Sequence, residues 1–248
     1  MTKPGARLRA DLFLVRNGFA ASRAEAQAAI AAGRVLADGC AVLKPSQPIA
    51  DTACIAYEKS HPYVSRAALK LIAALDRFSL SPQGLVCLDL GASTGGFTQV
   101  LLERGAAKVY AVDVGHGQLH ADVTTDSRVL SLEGVNARDL SAAQIPERPQ
   151  ALVADVSFIG LKLALPPSLE MAAAGAWLVA LVKPQFEVGR ANIGKGGIVR
   201  DEAARNAALD GIVAWLSSVH GWSVIGHMES PLEGGDGNLE ILVAARKS

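Results

Sequence analysis

The segment from residue 85 to residue 98 constrains the fold more than any other part of this sequence. Its first six residues, LVCLDL, are apolar except for Asp89, which is typical of a strand covered on both faces. Three glycines follow, and they let the backbone turn sharply and approach a ligand closely. A helical pattern begins near Gly96, so its N–H groups point into the turn. This order is typical of nucleotide-like ligands, but a plain connection without a ligand remains an alternative.

Strand and helix patterns alternate through most of residues 65–248, which predicts a parallel sheet covered by helices on both faces. Ligands of such sheets bind at the carboxyl ends of the strands. Polar residues at or near these ends are Asp89, Asp113, Asp155 and Lys183. Asp113 is predicted to accept hydrogen bonds from ribose hydroxyls, the alternative being a helix cap or turn. The polar turn that begins at Asn136 lies where a base would be bound.

Residues 7–55 carry a different pattern, which predicts a compact module of their own. Ser22 is predicted to cap a helix, and Asp38-Gly39 between short apolar runs predicts a hairpin. The module resembles the alpha-L RNA-binding motif of ribosomal proteins, at residues 9–11, 18, 22–26, 30, 33–35, 38–39 and 44–46. The resemblance implies RNA binding by a cationic face formed by Arg9, Arg16, Arg23, Arg34 and Lys44. Each of these alone is equally consistent with a solvated surface charge.

Charge is distributed unevenly along the chain. The net formal charge is zero, which by itself argues against a nucleic-acid partner. However, residues 1–62 hold 8 lysines and arginines against 5 acids, whereas the remainder holds 16 against 19. A basic first module on a mildly acidic body indicates that the first segment captures an anionic partner.

The cysteines and the apolar runs indicate the compartment in which the protein is expected. Cys40, Cys54 and Cys87 form no CxxC pair, and we predict that each is a small core residue in a reducing compartment, without a structural metal. The amino terminus lacks the apolar core of a secretory signal. The most apolar run, residues 172–182, is too short to span a bilayer. We therefore expect a cytoplasmic protein that does not associate with membranes.

Nearly the whole chain resembles the TlyA family of ribosomal RNA 2'-O-methyltransferases, within the wider FtsJ-like methyltransferases. The stretches that carry the resemblance are residues 63–70, 89–98, 109–115, 155–158, 181–187, 194–197 and 237–240. It implies an α/β fold, a Rossmann-like class I methyltransferase with a seven-stranded mostly parallel sheet, preceded by a small α+β RNA-binding domain. We expect these domains at residues 65–248 and 1–59, with a linker at 60–64. His116, where Tyr is common, and Ala67-Ala68, where Gly-Gly is frequent, depart from the family pattern.

The resemblance also implies the site. The family's Lys-Asp-Lys-Glu tetrad maps to Lys70, Asp155, Lys183 and Glu240. On sequence alone Lys70 lies off the apolar stripe of a helix predicted from Arg66 to Phe78, capped by Ser65, and would be solvated. The implied cofactor is S-adenosylmethionine, held by Asp89, Gly91, Ala92, Ser93, Thr94, Gly95, Gly96, Phe97, Asp113, Val114, Asn136, Ala137 and Arg138. Arg66 joins the predicted RNA-binding residues.

The chemistry explains these residue types. A ribose 2'-hydroxyl is a weak nucleophile that must lose its proton as it attacks the methyl group. We assign Lys183 as the acceptor of that proton and Asp155 as the residue that orients Lys183. Lys70 and Glu240 balance the charge and place the ribose. This scheme requires no metal. The implied substrate is a cytidine in large-subunit ribosomal RNA, with or without one in the small subunit, and we expect a monomer that binds ribosomal RNA or subunits. A buried salt-bridge network without chemistry is the alternative.

Three other functions remain open from the sequence. An NAD-dependent dehydrogenase would usually carry GxGxxG, but Ser93 replaces the middle glycine. A membrane-active haemolysin is a label attached to this family, yet the helices are alanine-rich rather than cationic and amphipathic. An RNA-binding protein with an inactive methyltransferase domain is the third, and the intact tetrad argues against it.

Overall fold

The computed structural model describes residues 7–20, 22–58 and 61–248, and the chain divides into two compact units, residues 1–62 and 63–248. The predicted linker at 60–64 includes Ser60, which lies outside the described residues, so the linker stays a prediction. Among the described residues, no helix is both long enough and apolar enough to cross a membrane.

The first unit is a small α+β structure. Its elements are β1 (Arg7–Arg9), α1 (Ala10–Arg16), α2 (Arg23–Ala31), β2 (Val35–Ala37), β3 (Cys40–Ala41), β4 (Pro48–Ala50) and β5 (Ile55–Tyr57). β1 pairs with β4, and β2 lies between β3 and β5, all antiparallel. The Ser22 hydroxyl accepts the N–H of Glu25 and so caps α2, as predicted. Asp38 and Gly39 have φ of 51° and 77°, which the predicted hairpin turn requires.

The second unit is a layered α/β structure. Its larger elements are α3 (Ala68–Phe78), β6 (Val86–Leu90), α4 (Gly96–Glu103), β7 (Lys108–Asp113), α5 (Ala121–Thr124), β8 (Val129–Glu133), β9 (Ala151–Ala154), α6 (Leu161–Ala164), α7 (Pro166–Met171), β10 (Trp177–Val182), α8 (Pro184–Glu187), α9 (Glu202–Ser218), β11 (Trp222–Glu229) and β12 (Ile241–Lys247). Short 3-10 helices lie at Ala137–Asp139, Arg190–Asn192 and Lys195–Gly197.

The described strands of this unit form one seven-stranded sheet in the order β11-β12-β10-β9-β6-β7-β8. β12 runs antiparallel to both β10 and β11, and the other neighbours are parallel. The predicted Rossmann-like, mostly parallel sheet is therefore confirmed.

Helices cover both faces of the sheet. Because side chains of a strand alternate between the faces, successive residues pack in different apolar clusters. On β6, Leu88 packs in one apolar cluster with α6, α7 and α9, whereas Cys87 packs in the other with α3 and α4. With both faces buried, the carboxyl edge is where polar side chains from several strands can meet at a ligand.

Two of the three cysteines do not lie in the core. Cys87 is buried, and burial raises the pKa of its thiol to about 12. Cys40 and Cys54 are exposed, so the prediction that they are core residues was wrong. Cys40 lies on β3 and Cys54 directly precedes β5, the two outer strands of a thin three-stranded sheet, where one face of the strand contacts solvent.

Two element boundaries differ from the predictions. α3 begins at Ala68, and the Ser65 hydroxyl accepts the N–H of Ala67 in a tight turn before the helix instead of capping it. The apolar pattern of residues 239–244 predicts a last strand that carries Glu240, but this strand begins at Ile241, so Glu240 directly precedes β12.

Candidate active site

The register of three central strands brings acidic and basic side chains to one edge of the sheet. β10 and β12 are antiparallel, and Val182 pairs with Ile241. The next residues beyond this pair are Lys183 and Glu240. Asp155 follows β9, the parallel neighbour of β10. Parallel strands end at the same edge, and the antiparallel strand begins there, so these three residues meet.

Two ion pairs result. Lys183 Nζ lies 2.6 Å from Asp155 Oδ1 and donates a hydrogen bond to Ser157 Oγ at 2.8 Å. Lys70 Nζ forms an ion pair and hydrogen bond with Glu240 Oε2. Burial raises the pKa of Glu240, while the charges of Lys70 and Lys183 oppose this shift. The structure thus brings the four residues of the predicted tetrad together.

The burial of Lys70 corrects the prediction made from its helical position. Only 6% of Lys70 is exposed, and α3 packs against β11 and β12. A buried ammonium requires a partner, which Glu240 supplies from 170 residues away. Helical periodicity locates an apolar face, but it contains no information about a carboxylate from a distant strand.

Two adjacent cavities, with volumes of about 300 and 160 Å³, lie beside the Lys183–Asp155 ion pair. Gly91, Ser93, Asp155 and Ser157 line both. Of the other predicted cofactor residues, the larger cavity is lined by Asp113, Val114, Asn136 and Ala137, and the smaller by Ala92, Thr94, Gly96 and Phe97. Lys183 also lines the smaller cavity. A long ligand in the larger cavity would therefore reach toward Lys183.

Three predicted cofactor residues lie outside both linings. Asp89 is fully buried, Gly95 lies close to Leu119, and Arg138 is exposed with its backbone N–H bonded to Asn136 Oδ1. Lys70 and Glu240 also lie outside these linings. Direct contact with a bound cofactor is therefore better supported for the other predicted residues.

The glycine-rich turn can approach its neighbours only because Gly91 lacks a side chain. Its φ is +79°, and its N–H donates to the carbonyl of Val112 at 2.9 Å. A Cβ at this position would lie 2.6 Å from the carbonyl oxygen of Asp155. This turn forms the floor shared by the two cavities.

Asp113 is held rigidly at the end of β7. Its Oδ2 accepts the N–H of Ser93 and its Oδ1 accepts the N–H of Gly115, both at 2.8 Å. Each carboxylate oxygen has a further lone pair, so the group can still accept hydrogen bonds from a ligand's hydroxyls.

Sequence reasoning from spacing missed several residues of the cavities. Gln118, Ser157 and Phe158 line the larger cavity. Phe158 has φ of +64° and is 92% exposed, and its ring centroid lies 5.5 Å from that of Phe186. A left-handed, solvent-exposed phenylalanine is a strained arrangement that no local pattern reveals. Ser157 was within reach of sequence reasoning, because it lies two residues after Asp155.

The buried carboxyl of Asp89 predicts an unusual dependence of stability on pH. Burial raises the pKa of Asp89 to about 7, partly offset by the Thr98 hydroxyl, which donates to Oδ2 at 2.6 Å. In the unfolded chain the pKa of an aspartate is about 3.9. The contribution of Asp89 to the free energy of unfolding is therefore complete below about pH 4 and is lost as pH rises through about 7. Asp89→Asn cannot ionise. We expect its unfolding free energy, relative to wild type, to rise by roughly 4 kcal/mol between pH 4 and 8 in urea titrations.

Asp126→Asn is the matched control. A hydrogen bond from Arg128 lowers the pKa of Asp126 to about 2, so this carboxyl is ionised in both states above about pH 5. The difference in unfolding free energy between Asp126→Asn and wild type should stay constant from about pH 5 to 8. If the difference for Asp89→Asn were equally independent of pH, Asp89 would be ionised in the folded protein.

In the first unit, a buried carboxylate organises two of the predicted RNA-binding arginines. Asp11 is fully buried and accepts hydrogen bonds from Arg9 Nε and Nη2, at 3.0 and 2.9 Å, and from Arg23 Nη2 at 3.0 Å. The Arg9 hydrogen bonds hold the pKa of this carboxyl well below its usual range. About half of each arginine side chain remains exposed. The guanidinium groups are therefore fixed side by side at the surface.

The other predicted RNA-binding side chains are less constrained. Arg16 and Lys44 are exposed, and Arg34 is partly buried. Arg66 is exposed on the second unit, next to Ser65 and Ala67 of the smaller cavity.

Comparison with known families matches both units. The model of the FtsJ-like methyltransferase family matches residues 63–247, and that of the S4 domain matches residues 8–51. The larger match covers the whole seven-stranded sheet and both ion pairs.

Individual relatives match over almost the entire length. The 16S/23S rRNA (cytidine-2'-O)-methyltransferase TlyA of Mycobacterium tuberculosis is 44% identical over 97% of this chain and 90% of its own. Hemolysin A of Brachyspira hyodysenteriae is 39% identical over 95% of this chain and 98% of its own. A solved structure from Streptococcus thermophilus that carries a hemolysin name has a TM-score of 0.79 and 39% identity, over 98% of this chain and 89% of that one. Given these matches and the two-unit architecture, the chain belongs to the TlyA family of FtsJ-like methyltransferases.

Proposed function

We propose that this chain transfers a methyl group from S-adenosylmethionine to the ribose 2'-hydroxyl of a cytidine in ribosomal RNA. The observation that carries the proposal is the Lys183–Asp155 ion pair in the linings of two cavities, together with the Lys70–Glu240 ion pair in the same cluster of charges. The M. tuberculosis relative is named for cytidine 2'-O-methylation of 16S and 23S rRNA, and a Campylobacter jejuni relative for 23S rRNA alone. The large subunit is therefore the proposed target, with or without the small subunit.

The residues present fit S-adenosylmethionine. Asp113 is placed to accept the ribose hydroxyls of its nucleoside in the larger cavity, and Asn136 lies on the same wall for the base. Gly91 lets the ligand pass close to the backbone, and the smaller cavity takes the amino-acid end toward Lys183. When bound, S-adenosylmethionine supplies a methyl group already activated by a sulfonium cation.

The tetrad divides the chemistry between its members. Lys183, in its neutral form, accepts the proton of the attacking hydroxyl, while Asp155 and Ser157 hold its Nζ in place. Lys70 and Glu240 form a neutral pair that keeps the adjacent buried space free of net charge.

The partner that fits the exposed arginines and Phe158 is ribosomal RNA, free or in a subunit. The paired guanidinium groups of Arg9 and Arg23 bind backbone phosphates, and Arg66 does so near the smaller cavity. The exposed ring of Phe158 offers a face on which a base can stack. Both ion pairs and both cavities are built from one chain, so we propose a monomer, acting in the cytoplasm where ribosomes are assembled.

Removing the two fixed arginines should weaken RNA binding in a salt-dependent way. For Arg9→Ala/Arg23→Ala we expect the slope of log affinity against log salt to fall by about 0.7 for each phosphate that the variant no longer binds, because fewer counterions are released. Fluorescence anisotropy with a ribosomal RNA fragment at several salt concentrations measures the slope. Arg148→Ala, an exposed cation just before the amino end of β9, is the control and should match wild type. Unchanged slopes in the double variant would exclude this surface.

The function itself is tested by mapping ribose methylation in ribosomal RNA from cells with and without the protein, and by methyl incorporation with purified components. We expect one or more cytidine 2'-O-methyl groups to depend on the protein. Because relatives carry hemolysin names, the purified protein should also be tested on erythrocytes. Lysis without any methyl transfer would overturn the proposal, and cofactor and RNA binding without turnover would identify an inactive methyltransferase domain.

A further inference from the structure

A short segment between β7 and α5 forms part of the wall of the larger cavity. Residues 114–120 contain no helix or strand, and Gln118 of this segment lines the cavity. Three of its successive backbone N–H groups bond to one side chain, Glu133 at the end of β8. Gly117 donates to Oε2 at 2.7 Å, and Gln118 and Leu119 donate to Oε1 at 3.0 and 3.4 Å. The conformation of the segment therefore depends on a carboxylate outside it.

The carboxylate of Glu133 is well suited to this task. Hydrogen bonds from backbone N–H groups, that of Gly117 foremost, lower the pKa of Glu133, so the group stays charged near neutral pH. Hydrogen bonds to a charged acceptor are stronger than neutral ones. These N–H groups lie near the surface, where water can replace a missing partner. Removing the carboxylate should consequently loosen the segment more than it destabilises the whole unit.

The segment is joined at its other end to the glycine-rich turn. The N–H of His120 donates to the carbonyl of Thr94 at 3.1 Å, and Leu119 lies where a side chain on Gly95 would be. The amide of Gln118 lies over Gly115, whose N–H is held by Asp113. Gln118 is thereby held beside the carboxylate proposed to bind ribose.

We propose that Glu133 is a positioning residue for the cofactor cavity and that Gln118, which it holds in place, is a further binding residue for the nucleoside. This inference rests on the proposed use of S-adenosylmethionine. Glu133 sets the backbone of residues 117–119, and the Gln118 amide then adds a donor and an acceptor next to the hydroxyl-binding Asp113. Without Glu133 the Gln118 side-chain amide is no longer held in place. Binding must then order residues 117–119, and the free-energy cost of this ordering offsets the contribution of Gln118 to affinity.

The test is a double-mutant cycle on affinity for S-adenosylhomocysteine, measured by calorimetry. We expect Glu133→Ala to weaken binding about tenfold and Gln118→Ala by a similar factor. Glu133→Gln keeps one acceptor oxygen and should lie between wild type and Glu133→Ala. Because Glu133 acts through Gln118, the double variant should be hardly weaker than either single variant. Glu147→Ala removes an exposed carboxylate that bonds Lys108 and Tyr110, and it should bind like wild type.

Hydrogen exchange of the ligand-free protein gives a second readout. Exchange at residues 117–119 should rise in Glu133→Ala and stay unchanged in Gln118→Ala. If wild type binds S-adenosylhomocysteine and Glu133→Ala binds it equally well, or if the two single effects multiply, only this inference is overturned. If wild type itself does not bind the probe, the proposed function fails and this inference fails with it.

Discussion

Replacing Lys183 with alanine is expected to lower the rate constant of methyl transfer by about a thousandfold, within the range typical of a removed general base. The affinity for S-adenosylhomocysteine should change far less than the rate, because Lys183 lines only the smaller cavity and is not part of the larger cavity proposed to hold the nucleoside. Single-turnover methyl transfer to a ribosomal RNA substrate measures the rate, and calorimetry measures the affinity.

Lys183→Arg separates proton transfer from charge. An arginine keeps the positive charge beside Asp155 and can still donate hydrogen bonds, but it does not lose its proton in a protein. We therefore expect this variant to be nearly as slow as Lys183→Ala. An active Lys183→Arg variant would show that Lys183 contributes charge and not base catalysis.

Gly91→Ala is expected to cause the largest loss of stability among single changes in the glycine-rich turn, about 4 kcal/mol of unfolding free energy. The φ of +79° disfavours a side chain, and the new Cβ would lie 2.6 Å from the Asp155 carbonyl oxygen. The clash pushes on the backbone that carries Asp155, so methyl transfer should fall as well. Urea denaturation of the ligand-free variant gives the loss.

Gly84→Ala is the matched control for this prediction. Gly84 has φ of +73°, but a Cβ there would meet nothing within 4 Å. The free energy of unfolding of this variant should fall only by the cost of the left-handed conformation, about 1 to 2 kcal/mol. Equal losses in the two variants would mean that backbone strain, and not close approach to Asp155, explains the glycine at position 91.

Much of the candidate site was predictable because its parts are local. The apolar run before Gly91 indicated β6, the glycines indicated the turn, and Asp113 and Asp155 could be placed at strand ends from the alternation of strands and helices. Resemblance to a family added Lys70 and Glu240, which the spacing of residues did not single out.

Other features depended on contacts between distant segments. The exposure of Cys40 on β3, and of Cys54 just before β5, follows from which strands are outermost in a small sheet. The binding of three N–H groups by Glu133 and the left-handed backbone of Phe158 depend on how loops close over the sheet. No periodicity of a single element contains that information.

By itself the sequence determined the order of elements, the glycine turn and the residues that end each parallel strand, because propensity and periodicity act over a few neighbouring residues. Only the tertiary structure decided that β12 lies antiparallel between β10 and β11, which brings Glu240 level with Lys183 and against Lys70. A buried ammonium is stable only beside a carboxylate. The pairing of two residues 170 positions apart is a property of packing and not of either segment alone.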